Sequence, residues 1–164
     1  MSEIKYINPK DYGVTPVKRP LSDTPSIAIR QAIADAKAVL KSKNAVLDMK
    51  DWCSINLTFK ACEVCQAGAI ALRRGLAFED AYSDPVKSFE NETNKRILAF
   101  DNFRLGNIDD FLYAFGIYLT TSMYRFVDNG ELSKNISDAA ENGDWEYYFK
   151  CSLEMANRLE KLGY

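Results

Sequence analysis

The segment from Ala61 to Gly75, ACEVCQAGAIALRRG, carries no charged side chain between Glu63 and Arg73. Alanine and glycine dominate its middle, so one flank of a helix built from it would be unusually thin. A helix that is apolar around most of its circumference has to be buried, and its small residues let neighbouring backbones approach closely. The segment therefore predicts a central helix, with two arginines in its last turn and a glycine at its end.

The rest of the chain has enough apolar material to surround that helix. The 164 residues are 47% hydrophobic and 12% aromatic, which fits one domain with a core of its own. The formal net charge of −2 is too small to indicate a strong field for nucleic acid. Residues 1–43 carry eight basic and four acidic side chains. Because these basic residues form no dense block, a solvated surface is the favoured interpretation and contact with an acidic partner the alternative.

Apolar residues spaced three and four positions apart predict further helices. The first begins at Thr24-Pro25, where the threonine is a suitable N-cap and proline suits the first helical position. The predicted helices cover residues 25–42, 61–75, 91–106, 107–128 with a kink or break near Gly116, and 144–162. The pattern indicates a mainly all-α fold, a compact bundle of about five helices.

Two other segments do not show a helical period. Residues 1–23 contain three prolines and a glycine, which predicts an extended N-terminal arm ahead of a single helical domain at 24–164. This arm could lie along the domain or along a partner. Residues 45–58 fit either short strands, including a small hairpin, or a packed loop.

The chain contains no histidine, which excludes Ser-His-Asp and Cys-His catalysis and histidine-ligated metal sites. Any catalysis would rest on Asp, Glu, Lys, Tyr or Cys. The catalytic candidates are the carboxylates Glu63, Asp101 and Asp109, of which Glu63 would have a raised pKa if buried in its apolar segment. No glycine-rich phosphate loop is present, and no cofactor is expected.

The pair Cys62-x-x-Cys65 allows three interpretations. A zinc site would need four thiolates, which Cys53 and Cys151 could complete only if distant segments met. A redox pair would need an exposed helix N-terminus after a strand and a lowered thiol pKa. The favoured interpretation is that the cysteines pack as small hydrophobic residues and bind no metal.

The segment FDNFRLGNIDDF, residues 100–111, is the densest polar cluster. Its paired acids could hold a divalent cation, and Arg104 could bind an anion. A tight connection between two helices uses the same residue types, and that structural interpretation is favoured.

The second half of the chain has more tyrosines than one core can bury. Exposed tyrosine is enriched at protein interfaces because it offers a large rigid ring with a polar tip. An ordinary amphipathic surface is an equal alternative. The candidate contact residues are Tyr113, Tyr124 and Tyr147, with Tyr6 and Tyr12 of the arm and Arg104.

Three stretches of the chain resemble a pattern in small uncharacterised helical proteins encoded mainly by bacteriophages. They are Trp52-Cys53, then CEVCQAGAIAL, then ILAFDNFRLGNIDDFLYAFG. Those chains often show W-C, a C-x-x-C-x-x-G-A helix and a short helix pair with a D-x-x-R-x-G turn. The resemblance covers roughly residues 52–116 and brings no catalytic residues. It implies a phage or mobile-element origin, and hence a protein that acts on the host.

The leading functional hypothesis is a non-enzymatic, phage-type accessory protein that binds and inhibits a host protein of a defence or metabolic system. One alternative is a protein that binds a nucleotide-like ligand or hydrolyses one with carboxylates; another is a virion or assembly component. The polar N-terminus, the absence of a long apolar run and four cysteines without a leader predict a protein of the host cytoplasm, away from membranes. Nucleic acid is not an expected partner, since no basic stripe is interleaved with aromatics. The oligomeric state is left open.

Overall fold

The structure, a computed structural model, describes residues 8–43, 45–47, 53–56, 61–75 and 92–164, with the backbone alone at 46, 53–56, 61–64 and 92–94. These residues form seven α-helices, one 3-10 helix at Pro9–Tyr12 and three short strands. The prediction of a mainly helical fold is confirmed. The helices are α1 (Pro25–Leu40), α2 (Gln66–Arg73), α3 (Glu92–Arg104), α4 (Ile108–Tyr113), α5 (Thr121–Val127), α6 (Leu132–Asn142) and α7 (Trp145–Lys161). Within these residues, no helix is both long enough and apolar enough to cross a membrane.

Helix α2 lies at the centre, as its small residues predict, and every residue from Gln66 to Leu72 is buried. It packs against α1 and α3, and α1 in turn packs along α7. The predicted start of the central helix was wrong, because Ala61–Val64 is a strand and the helix begins at Gln66. Cys65, in an extended conformation, caps the helix, and its Sγ accepts a hydrogen bond from the Gly68 N–H at 3.4 Å. Tertiary strand pairing therefore overrides the local helical pattern.

The strands β1 (Ala45–Leu47), β2 (Cys53–Asn56) and β3 (Ala61–Val64) form one small mixed sheet in the order β1-β3-β2. β3 pairs in parallel with β1 and antiparallel with β2. Residues 45–58 do supply two strands, but these two do not pair with each other as a hairpin within 45–58 would require. Each pairs instead with β3, whose segment had been predicted as helix.

An aromatic cluster joins α3 to α4. The rings of Phe100, Phe103 and Phe111 are all buried, and their centroids lie 4.9–5.6 Å apart at tilted or edge-to-face angles. Between the two helices the chain turns at Gly106, whose φ is +81°. A Cβ there would lie 2.8 Å from the Ser133 carbonyl oxygen, so glycine is needed both for the left-handed backbone and for the close approach of α6. The turn predicted at residues 100–111 is thus a helix connection.

The apolar stripe predicted over 107–128 is broken. α4 ends at Tyr113, the chain turns at Gly116 with φ +73°, and α5 starts after Thr120, whose hydroxyl accepts from the Met123 N–H. Helix α6 was missed by the sequence reasoning, although Leu132, Ile136, Ala139 and Ala140 follow a helical spacing and are buried. It ends at Gly143, and α7 follows, capped by the Asp144 carboxylate.

A buried ion-pair cluster fastens α2 to α1. Asp35 on α1 is only 1% exposed, and its two carboxylate oxygens accept from Arg73 Nη1 at 3.0 Å and Arg74 Nη1 at 2.6 Å. Burial raises the pKa of Asp35, and the two guanidinium groups only partly offset this desolvation. The adjacent arginines thus serve mainly to hold α1, a role that the sequence reasoning missed when it assigned them to the helix dipole.

The same arginines hold the segment that precedes α1. Arg73 Nε donates to the Thr15 carbonyl and Arg74 Nε to the Arg19 carbonyl, while the Val17 N–H donates back to the Arg73 carbonyl. Val14 and Leu21 are buried. Of the segment predicted as an arm, residues 8–23 therefore lie along the domain.

Candidate functional site

The connection between α4 and α5 exposes two large aromatic side chains that contact each other. Tyr113 and Tyr118 are 63% and 72% exposed. Their ring centroids are 5.4 Å apart and the rings lie at 84°, an edge-to-face contact. Hydrogen bonding to Tyr113 raises the pKa of Tyr118. We refer to these two residues as the tyrosine pair.

The backbone fixes this pair from below. The Gly116 N–H donates to the Tyr113 carbonyl at 2.9 Å, and the Ile117 N–H donates to the Leu112 carbonyl at 3.1 Å. A glycine in the left-handed region closes a helix in this way and reverses the chain. Ile117 and Leu119 then pack against the core while Tyr118 points outward, because side chains alternate in an extended segment. The tyrosine pair therefore rests on a hydrogen-bonded turn in which Leu112 is buried and Ile117 and Leu119 are half-buried.

A surface cleft of about 530 Å³ is lined by residues of α4, of α5 and of the segments that flank α5. Leu119 lines it directly after Tyr118, and Asp109 lines it one helical turn before Tyr113. We call it the α4–α5 cleft. Its lining residues are Asp109, Leu119, Thr121, Tyr124, Arg125, Asn129 and Gly130.

The wall of this cleft is held by a buried carboxylate. Asp128 accepts hydrogen bonds from the Tyr124 hydroxyl at 3.0 Å, the Ser133 N–H at 2.7 Å and the Ser133 hydroxyl at 2.8 Å. Burial and the bond to Asp128 raise the pKa of Tyr124 to about 12, so its hydroxyl stays a neutral donor at neutral pH. The half-buried Tyr124, predicted as a contact residue, thus shapes the cleft and presents part of its ring there.

The lining of the cleft carries one acid and one arginine, Asp109 and Arg125. Residues 107–131 hold four acids and one arginine, and one of those acids is the buried Asp128. Asp109 and Arg125 are exposed cleft residues, and neither forms an ion pair within the part of the chain that the structure describes. Asp110 and Glu131 are also exposed, so the exposed charged residues of 107–131 are three acids and one arginine.

Two polar residues that were predicted as site residues pair with each other on α3. Arg104 forms an ion pair with Asp101, with Nη2 and Oδ1 2.6 Å apart, and its Nε donates to the same oxygen. Because the partners are three residues apart and partly exposed, this is an ion pair along the helix surface. Their guanidinium and carboxylate groups already bind each other, which favours the structural interpretation of this cluster.

The remaining predicted residues lie elsewhere. Tyr147 is exposed in the first turn of α7, and hydrogen bonding to Cys151 raises its pKa. Tyr12 is half-buried in the 3-10 helix and packs against the core, while Tyr6 lies outside the described residues. Glu63 lies in β3, opposite Val46 and Ser54 in register.

The thiol pKa of Cys65 differs from that of a redox cysteine, which would be lowered. Cys65 does follow a strand and precede a helix, but it is buried, and burial raises its thiol pKa to about 11. Cys151 is also a buried free thiol. The side chains of Cys53 and Cys62 lie outside the description. Among the residues that are described, no group of three or more cysteines and carboxylates could hold a metal ion.

Tyr118 is one of the residues of this surface that the sequence reasoning did not name as a contact candidate. The available signal was its position two residues after a glycine that interrupts a helical stripe, between two apolar residues. Comparison with known proteins gives no match, whether with protein-family models, curated proteins or solved structures.

Proposed function

We propose that this protein acts by binding another protein through the tyrosine pair and the α4–α5 cleft. The observation that carries the proposal is the edge-to-face contact between two tyrosines that are both mostly exposed. Large aromatic rings are enriched in interface hot spots, since each covers a large apolar area and ends in a polar group.

The pair is also preorganised, which favours binding. Each ring limits the motion of the other, and Gly116 with the buried Leu112 fixes the backbone beneath them. Side chains that are already ordered lose less conformational entropy when a partner covers them. The α4–α5 cleft, which is lined by the residue that follows Tyr118, offers a recess near these anchors.

The proposed partner is a host protein, and the proposed consequence is inhibition of a host defence or metabolic system. This part of the proposal is supported by the resemblance of residues 52–116 to small phage-encoded proteins. That stretch includes α4 and Tyr113 and ends at Gly116, so it contains one residue of the tyrosine pair.

Photo-crosslinking in host lysate tests the proposal. A photoreactive phenylalanine analogue is placed at Tyr118 and, as a control, at the exposed Leu40 on α1. We expect an adduct of defined size from position 118 and not from position 40. The captured protein is identified by mass spectrometry, purified, and its affinity measured for Tyr118→Ala and for Leu40→Ala.

A central interface tyrosine is worth about 2 kcal/mol or more, so Tyr118→Ala should weaken binding about thirtyfold and Leu40→Ala by less than about twofold. Equal adducts from both positions, or an affinity unchanged by Tyr118→Ala, would rule the proposal out.

A second candidate function is small-ligand binding, because a cleft of about 530 Å³ is within the size range of small-molecule sites. A thermal-shift screen of nucleotides separates the two candidates. A ligand at about 100 times its Kd should stabilise the fold by about 2.7 kcal/mol, and Arg125→Gln should abolish that shift if the ligand lies in the cleft.

A further inference from the structure

The chain contains two Asn-Gly dipeptides with nearly the same neighbours, DNGE at residues 128–131 and ENGD at residues 141–144. The asparagine and the glycine are exposed in both, so both sites are open to water. An asparagine followed by glycine can lose its side-chain amide spontaneously, because glycine has no Cβ to shield its own backbone nitrogen. The local sequence assigns the two sites similar reactivity, and only the backbone around them separates them.

The backbone holds the two sites differently. Gly143 ends α6, and its N–H donates to carbonyls in the last turn of that helix, which fixes the peptide that joins it to Asn142. The Asn129-Gly130 peptide lies in the turn between α5 and α6. Among the described residues, neither the N–H nor the carbonyl of that peptide forms a hydrogen bond.

The turn at Asn129 also has space around it. Asn129 and Gly130 both lie in the left-handed region, with φ of +52° and +75°. A Cβ on Gly130 would meet no described atom within 4 Å. This turn therefore has the freedom to rearrange that the hydrogen-bonded end of α6 lacks.

We propose that Asn129 is a site of spontaneous deamidation, which converts the charge-balanced α4–α5 cleft into an acidic one. The Gly130 backbone nitrogen gives up its proton and attacks Cγ of Asn129, and the side-chain nitrogen leaves with that proton as ammonia. The resulting five-membered imide takes up one water molecule. Cleavage between the nitrogen and Cγ gives aspartate, whereas cleavage between the nitrogen and the main-chain carbonyl carbon gives isoaspartate. The reaction consumes water, releases ammonia and involves no oxidation.

Both products place a new carboxylate among the residues that line the cleft, because Asn129 and Gly130 belong to that lining. The unmodified lining holds Asp109 and Arg125, whose formal charges cancel. A carboxylate at position 129 gives two acids against one arginine, so the lining becomes net negative. The site does not depend on the proposed function, but it changes the charge of the surface that is proposed to meet a partner.

The test is to incubate the folded protein at neutral to mildly alkaline pH and to follow both sites by peptide mapping and mass spectrometry. We expect position 129 to convert at least about tenfold faster than position 142, since conversion at 142 first requires the end of α6 to open. The matched control is the same chain unfolded in guanidinium chloride, in which the two sites should convert at similar rates.

Amide NMR spectra of the converted protein, separated by anion exchange, test the effect on the cleft. We expect shifts at Asp109, Leu119 and Arg125 as well as within residues 128–131. Asn129→Asp carries the added charge from the start and supplies the reference spectrum.

Equal rates at the two sites of the folded protein, faster conversion at 142, or no conversion at either would each overturn the assignment of the site. The same ratio of rates in the folded and the unfolded chain would overturn its structural basis. Shifts confined to the turn itself would remove the effect on the cleft. None of these outcomes bears on crosslinking at Tyr118, so the proposed function fails or holds separately.

Discussion

The region around α2 and the connection between α4 and α5 are both rich in apolar residues, and the structure uses them in opposite ways. Around α2 the apolar residues are mostly small, and Ala67, Gly68, Ala69 and Ala71 are all buried. Around the tyrosine pair they are large, and the helices are only six and seven residues long. Small residues allow neighbouring elements to pack around a helix on all sides, whereas the large rings beside the Gly116 turn remain exposed to solvent. The size of apolar residues thus separates core from candidate surface here.

The two regions also differ in whether their charged side chains form ion pairs. Asp35 and the arginines of α2 are joined in a buried cluster that holds α1, α2 and the segment before α1. Asp109 and Arg125 share an exposed cleft without being paired to each other. Charges of the first kind act on stability, and charges of the second kind are free to act on a partner.

The largest expected effect is on the buried cluster. Asp35→Ala leaves Arg74, only 7% exposed, without its carboxylate, and we expect a loss of about 3–5 kcal/mol in the free energy of unfolding. Urea denaturation measures this value. Glu154→Gln, which breaks the exposed pair with Arg158, is the control and should cost no more than about 0.5 kcal/mol. Similar losses in both variants would contradict the distinction drawn between buried and exposed charge.

The next largest effect is expected in the core around α2, where alkaline pH should lower the free energy of unfolding. Burial raises the pKa of Cys65 from 9.0 to about 11, so its contribution to stability is intact below pH 9 and is lost as the pH rises through 11. At about 1.4 kcal/mol per unit this amounts to about 2–3 kcal/mol. Unfolding free energies at pH 8 and pH 11 give the difference.

Cys65→Ser replaces the capping sulfur with a hydroxyl oxygen that can also accept from the Gly68 N–H, and it cannot form a thiolate. It should therefore lose less stability over that interval. If its pH dependence equals that of the unaltered protein, Cys65 is not the group responsible.

Two glycines with similar backbones provide a smaller, matched comparison. Gly106 and Gly116 have φ of +81° and +73°, but a Cβ on Gly106 would meet the Ser133 carbonyl, whereas one on Gly116 meets no described atom within 4 Å. Alanine at either position costs about 1–2 kcal/mol for the left-handed backbone. Gly106→Ala should cost about 1–3 kcal/mol more, because α6 has to shift. Equal melting temperatures for the two variants would show that this contact is not tight.

The smallest expected effect on stability belongs to the tyrosine pair. Since both rings are mostly exposed, Tyr113→Ala and Tyr118→Ala should change the free energy of unfolding by less than about 0.5 kcal/mol each. Chemical denaturation checks this. A loss above about 2 kcal/mol would assign the pair to the fold and remove its role as a binding surface.

Much of the helical framework could be predicted, because amphipathic spacing and capping residues are local properties. The pattern at 25–42 corresponds to α1, and the pattern at 144–162 corresponds to α7, capped by Asp144. Gly116 was recognised as a break in the 107–128 stripe for the same reason. Of the candidate site, Tyr113, Tyr124 and Asp109 were named from the sequence, whereas Tyr118 and Arg125 were not.

The sequence by itself determined that a small-residue segment lies buried at the centre of a mainly helical domain, since no other arrangement covers so uniformly apolar a helix. Only the tertiary structure decided that Ala61–Val64 joins a sheet, because strand hydrogen bonds come from segments distant in the chain. Tertiary structure alone likewise paired Asp35 with two arginines about 38 residues away and brought the cleft residues together. Such contacts depend on how helices cross, and spacing along one helix does not carry that information.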